Sequence, residues 1–168
     1  MSFVSEQCLK LWRSPTMSSP MPDVIGRLER VETELALRRA AHRYCVAGDL
    51  RDLELWRGVW TPDAVWELSP EMVYTGLESI CATVERQWQM FPAMSHGTVN
   101  LDVDVEAATG RSDVIVHIQL QDTTWVTGGA TYLDEYRRHN GVWRIARRTV
   151  TRTFNVGPIP DWGPPGER

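Results

Sequence analysis

Apolar residues recur along this chain with two different periods, and the change between them divides it. From Asp23, a candidate N-cap, Ile25, Leu28, Val31, Leu35, Ala41 and Tyr44 return at spacings that mostly fit one helical face, ending at Gly48. Leu53, Trp56 and Trp60 predict a shorter helix closed by Thr61-Pro62-Asp63. Leu77 to Met90 predicts a third, through Ile80, Cys81, Val84 and Trp88. Between the second and third, AVWEL and MVYT read as short strands on either side of Ser69-Pro70-Glu71. After Pro92 the character changes. VNLDVDVE, DVIVHIQL, TTWVTGGATYLDEYRR and GVWRIARRTVTRTF are four β-rich segments, with turns expected at Ala108-Thr109-Gly110 and His139-Asn140-Gly141.

The resulting order is ααββαββββ. Segregated helices and an antiparallel meander imply an α+β domain, a strongly bent, mostly antiparallel sheet whose three helices close an interior cavity. At 168 residues and 42% apolar content the chain suffices for one core and is short for two. The expected division is a flexible arm over 1–22, one domain over 23–156, and an extended, proline-rich tail over 157–168.

Charge and cysteine usage narrow the function class. A net charge of −4 without a basic stripe argues against nucleic acid or an anionic membrane as partner. Nothing approaches the ~20 apolar residues of a spanning helix, and the N-terminus lacks a signal pattern, so a cytoplasmic protein is expected. Cys8, Cys45 and Cys81 form no C-x-x-C and no metal spacing, and are expected to be reduced, structural thiols.

No phosphate-binding glycine loop, nucleophile elbow, H-E-x-x-H or Cys–His arrangement is present, which leaves acid–base chemistry. His139 sits in the expected hairpin turn, His42 near a helix end, and His117 on the convex face of a strand whose apolar row is Val114, Val116, Ile118 and Leu120. His96 differs, because it opens the first long strand after the third helix, at the mouth of the cone. Asp49 follows the expected helix end at Gly48, where a carboxylate is a turn residue, the N-cap of the next helix, or a functional group. Strand alternation puts Arg144, Arg148 and Arg152 on one face and Arg147 on the other, so one of two adjacent arginines points towards the helices. Such an arginine pairs with a carboxylate or awaits an anionic ligand.

The motifs DAVW (63–66), SHGTVN (95–100) and GGATYLDEYRRHNGVWRIARR (128–148), with PPG in the tail, resemble the SnoaL-like branch of the nuclear transport factor 2-like superfamily from about Leu35 to Gly166. Within it they look most like the hexachlorocyclohexane dehydrochlorinases, with scytalone dehydratases and bile-acid 7α-dehydratases as relatives. The resemblance implies an Asp–His dyad at Asp49 and His96, an anion-handling arginine at Arg148, and pocket walls at Trp66, Val116 and Tyr132. Tyr44 falls where the bile-acid enzymes have a catalytic tyrosine and the dehydrochlorinases another polar residue, which favours loss of an oxygen leaving group. The implied activity is that of a lyase needing no metal or organic cofactor, acting on a cyclic, largely apolar small molecule in a homo-oligomer, with a trimer favoured. An isomerase or polyketide cyclase on the same site is the alternative within enzymes. Outside them stands a non-catalytic module like a dioxygenase β-subunit, in which Asp49–His96 would be a buried pair and the arginine an interface residue.

Overall fold

The computed structural model describes residues 21–155, and side chains within 23–154. Apart from Met21 and Pro22, the expected arm lies outside the described residues, as does the expected tail with Trp162. Three helices, α1 (Met21–Leu50), α2 (Leu53–Val59) and α3 (Leu77–Met90), accompany six strands: β1 (Trp60–Ser69), β2 (Met72–Thr75), β3 (Ala93–Asp104), β4 (Thr109–Gln119), β5 (Trp125–His139) and β6 (Val142–Asn155). The order is the one read from the sequence. The strands form one sheet ordered β2-β1-β6-β5-β4-β3, parallel only between β1 and β6. Among the described residues no helix is long and apolar enough to cross a membrane.

The first helix departs from its predicted face. Ile25, Leu28, Val31 and Leu35 are exposed, and the buried positions are Leu37, Ala40, Ala41, Tyr44, Cys45 and Ala47. Two apolar rows of different phase were merged by a periodicity that registers recurrence but not which neighbour is present. The helix also runs past Gly48. Arg51 adopts φ 56° and its N–H reaches Gly48 O, while Asp52 N–H reaches Ala47 O at 3.1 Å, a Schellman-type end with arginine where glycine is usual. Asp52 then caps α2 by accepting from Leu55 N–H at 2.8 Å, so the capping role open to Asp49 belongs to Asp52.

Trp60 and Thr61-Pro62-Asp63 belong to β1 rather than to a helix and its stop, because Trp60 pairs with Ile145 of β6. The pairing is irregular between Trp60 and Val65, which accommodates Pro62 without a ladder donor. Between β3 and β4 the turn is 105–108, with Ala108 at φ 51°, and Thr109 and Gly110 are already strand. Gly110 is used for close approach, since a β-carbon there would lie 3.0 Å from the Tyr136 ring. The Asn140-Gly141 turn forms as expected, with φ 49° and 80°.

Bulges bend the sheet. Extra residues fall in β3 beside Asn100 (φ 51°), in β6 at Ala146, and in β6 near Arg152 (φ 47°). The one at Ala146 reverses the alternation of β6. Ile145 and Arg148 both face inward, while Arg144, paired with Arg137, lies on the outer face, correcting the placement of Arg144 beside Arg148. The core gathers Trp56, Trp60, Trp66, Leu37, Ile80 and Ile145 between the helices and the concave face.

Candidate active site

Of the four histidines only His96 enters the interior. His42 and His117 are exposed, His117 against Thr127 Oγ1 at 2.8 Å, and His139 ends β5 half-buried. His96 lies on the inner face of β3, opposite Val116 of β4, where it meets the last turn of α1. Asp49 holds it twice: Oδ2 accepts the His96 backbone N–H at 2.8 Å, and Oδ1 lies 2.6 Å from ring Nδ1. A carboxylate on Nδ1 fixes the tautomer in which Nδ1 carries the proton and Nε2 is the free base. Nε2 bonds to no described residue, and the His96 side chain is 11% exposed.

Two contacts set this geometry from outside the pair. Trp88 Nε1 donates to Gly48 O at 2.9 Å, tying α3 to the turn that carries Asp49. The Arg51 guanidinium donates to the carbonyls of Phe91 and Pro92, tying the same helix end to the start of β3. Gly48 leaves room rather than flexibility. A β-carbon there would meet His96 Cε1 and Trp56 Cζ3 at 3.8 Å each.

Deeper in, Tyr44 is enclosed by Trp56, Tyr132, Trp60 and Trp66 at ring-centroid distances of 4.8, 5.7, 5.8 and 6.1 Å, with the His96 ring at 6.3 Å. Arg148 sits over two of these rings, its Cζ 4.0 Å from the Tyr44 centroid and 4.3 Å from that of Tyr132. Here the structure adds a residue. Asp134 accepts from Arg148 Nε and Nη2, both at 2.7 Å, and from Tyr136 Oη at 2.9 Å. The two charged side chains are each 1% exposed, so the inward arginine has a carboxylate partner and is not a surface residue. Arg148 Nη1 has no partner among the described residues. The alternation Tyr132, Asp134, Tyr136 in β5 was the available signal for an inward acid.

The electrostatics follow from this packing. Burial opposes the charge of Arg148, but the Asp134 carboxylate more than offsets it and holds the group firmly protonated. Burial raises the Tyr44 phenol well above its ordinary value, with Tyr132 adding to the effect and Arg148 opposing it. Burial likewise pushes Tyr132 up to about 12, against Arg148. Both phenols therefore stay protonated at neutral pH and can donate a hydrogen bond.

The sequence-nominated residues thus come together. Asp49, His96, Tyr44 and Arg148 run from the α1–β3 contact inward, Trp66 and Tyr132 pack against Tyr44 at the inner end, and half-buried Val116 flanks His96. Surface grooves of about 630 and 460 Å³ contain none of the four catalytic candidates. Among the described residues no group of three or more His, Cys, Asp or Glu is assembled as a metal site would be.

A curled six-stranded sheet closed by three helices in this order is the nuclear transport factor 2-like fold. More particularly, residues 29–149 match the SnoaL-like domain, and the chain belongs to that family. It is 26% identical over 145 residues to the gamma-hexachlorocyclohexane dehydrochlorinase of Sphingobium indicum, covering 83% of this chain and 93% of that enzyme. A crystal structure of a type 2 hexachlorocyclohexane dehydrochlorinase superposes with TM-score 0.70 at 23% identity, over 83% of this chain and 99% of that one. A candidate scytalone dehydratase of Novosphingobium aromaticivorans superposes with TM-score 0.65 at 22% identity, over 77% and 93%. These superpositions establish the fold.

Proposed function

We propose that the chain is a lyase in which His96 removes a proton from carbon of a cyclic, largely apolar small molecule and water or halide is eliminated. The observation that carries this is the pair of hydrogen bonds that Asp49 accepts from the His96 backbone N–H and ring Nδ1–H, which leaves Nε2 as a base with no partner among the described residues, beside an aromatic interior. Asp49 orients the ring and stabilises the imidazolium formed on proton uptake, an arrangement worth roughly 10²–10⁴ in rate. The negative charge that develops on the substrate is met from the interior side by the Tyr44 hydroxyl and by Arg148, whose Nη1 is not committed to Asp134. Rings in place of water make both interactions stronger than at a surface. The likeness to dehydrochlorinases supports the same reaction class. No metal or organic cofactor is needed for these steps, and a homotrimer is the expected assembly.

The test is a panel of cyclic compounds with an acidic C–H beside a hydroxyl or chloro substituent, followed by release of water or chloride. His96→Ala and Asp49→Asn are expected to lower kcat by about 10²–10⁴ with circular dichroism unchanged. Near-full activity in either variant sinks the dyad. Deuterium uptake at carbon without loss of a group redirects the reaction to isomerisation.

A further inference from the structure

A groove of about 630 Å³ lies between α1, the end of α2 and the β5–β6 hairpin, apart from all four catalytic candidates. Ala40 and Val59, both buried, form its base, and half-buried Trp143 of the hairpin adds an indole. Arg39 and Arg43 of α1 and Arg138 of β5 line the same space. Their sequence neighbours that do not line it are neutralised: Arg38 pairs with Glu34 at 2.8 Å, and Arg137 with Asp63. The three groove arginines pair with no carboxylate among the described residues.

Their arrangement is costly for the fold alone. Arg39 and Arg43 are exposed and stand one helical turn apart on one face, a like-charge pair that works against the helix unless an anion bridges it. Arg138 Nε donates to Gly141 O at 3.1 Å across the hairpin turn, which steadies the side chain and leaves both terminal nitrogens without a bond to a described residue. Glu29 and Glu32 line the other end of the groove. Along the helix axis Glu32 is roughly 10 Å from Arg39 and roughly 16 Å from Arg43. Those separations exceed the screening length of about 8 Å at physiological salt, so the arginine end keeps its positive potential.

We infer that this groove is a second ligand site, which takes a small phosphate monoester with a planar apolar body. The phosphate lies among Arg39, Arg43 and Arg138, and the body rests on Ala40, Val59 and Trp143. One arginine satisfies a carboxylate through two parallel hydrogen bonds, whereas a dianionic phosphate has charge and acceptor oxygens for several. The inference stands on the groove and does not depend on the catalytic reading.

Isothermal titration calorimetry on the full chain, with phenyl phosphate as the probe, tests it. Phenyl phosphate is expected to bind, with affinity falling as salt rises, inorganic phosphate to bind about tenfold more weakly for want of the apolar body, and phenol to give no heat. Arg39→Ala/Arg43→Ala is expected to weaken phenyl phosphate at least about tenfold, and Arg138→Gln about fivefold. All three side chains are exposed and free of ion pairs with described residues, so circular dichroism and thermal unfolding stay unchanged. His96→Ala is expected to bind phenyl phosphate as the unaltered protein does, which separates this groove from the interior site. No heat from phenyl phosphate, phenol binding equally well, or full affinity in Arg39→Ala/Arg43→Ala overturns the inference. Loss of binding in His96→Ala also overturns it, by moving the phosphate to the interior.

Discussion

Asp134→Asn isolates the buried charge at the heart of this fold without changing side-chain shape. In the native protein Asp134 accepts two 2.7 Å hydrogen bonds from Arg148 and one at 2.9 Å from Tyr136, and both charged groups are 1% exposed. Asparagine keeps one carbonyl oxygen but turns an –NH2 towards donors, and Arg148 becomes a cation in the core with no counter-charge. Removing one partner of such a pair costs about 3–5 kcal/mol, a large part of a domain stability of roughly 5–15 kcal/mol. The Tyr44 and Tyr132 faces stay over the guanidinium in either protein, so they cancel from the difference. Urea unfolding followed by tryptophan fluorescence is the assay, with Trp56, Trp60 and Trp66 packed around the same centre. With a slope of about 2 kcal/mol per molar urea, the midpoint is expected to fall by about 1.5–2.5 M. Replacing both partners, Asp134→Leu/Arg148→Met, is expected to lose less than the single change, because a matched apolar pair carries no stranded charge. A single-variant loss below about 1 kcal/mol, or a double variant less stable than the single, refutes this account of the core.

Three further outcomes follow from the same contacts. Tyr44→Phe removes only a hydroxyl and is expected to lower kcat about 10²-fold where oxygen is the leaving group, and clearly less where chloride leaves and only the charge-stabilising hydrogen bond is lost; equal effects on both would refute an acid role for Tyr44. Gly48→Ala is expected to stabilise by about 0.5–1 kcal/mol in urea unfolding, since the site is helical and the new methyl meets its neighbours at 3.8 Å; a loss of stability would mean the turn under Asp49 is tighter than it looks. For Tyr132, burial raises the folded-state value to about 12 from an ordinary 10.0, with Arg148 opposing. Its contribution is thus complete below pH 10 and is lost as pH climbs towards 12, at about 1.4 kcal/mol per pH unit. Unfolding free energies measured across that window should decline less steeply in Tyr132→Phe, and an identical slope would contradict the assignment.

Much of this arrangement was legible in the sequence because the signals are local. The bounds of α3, the Asn140-Gly141 hairpin, the succession of strands and the difference between His96 and the other histidines all rest on periodicity and turn chemistry within a dozen residues. Asp49 and His96 were each visible as candidates, yet nothing local joined them. Their 47-residue separation is closed only when α1 packs on β3.

Alternation and helical period say which residues share a face, and for most of this chain that was enough to give the order of elements and an α+β class; the roles of Asp49, His96, Tyr44 and Arg148 came from the resemblance. Such patterns cannot say which neighbour a face meets, so the outward row of α1 and the inward row that follows it read as one. Nor can they foresee a bulge. One extra residue at Ala146 separates Arg144 from Arg148, and pairing β5 with β6 sets Asp134 against Arg148. Those outcomes depend on register between strands distant in sequence, and register belongs to the whole sheet rather than to any segment of it.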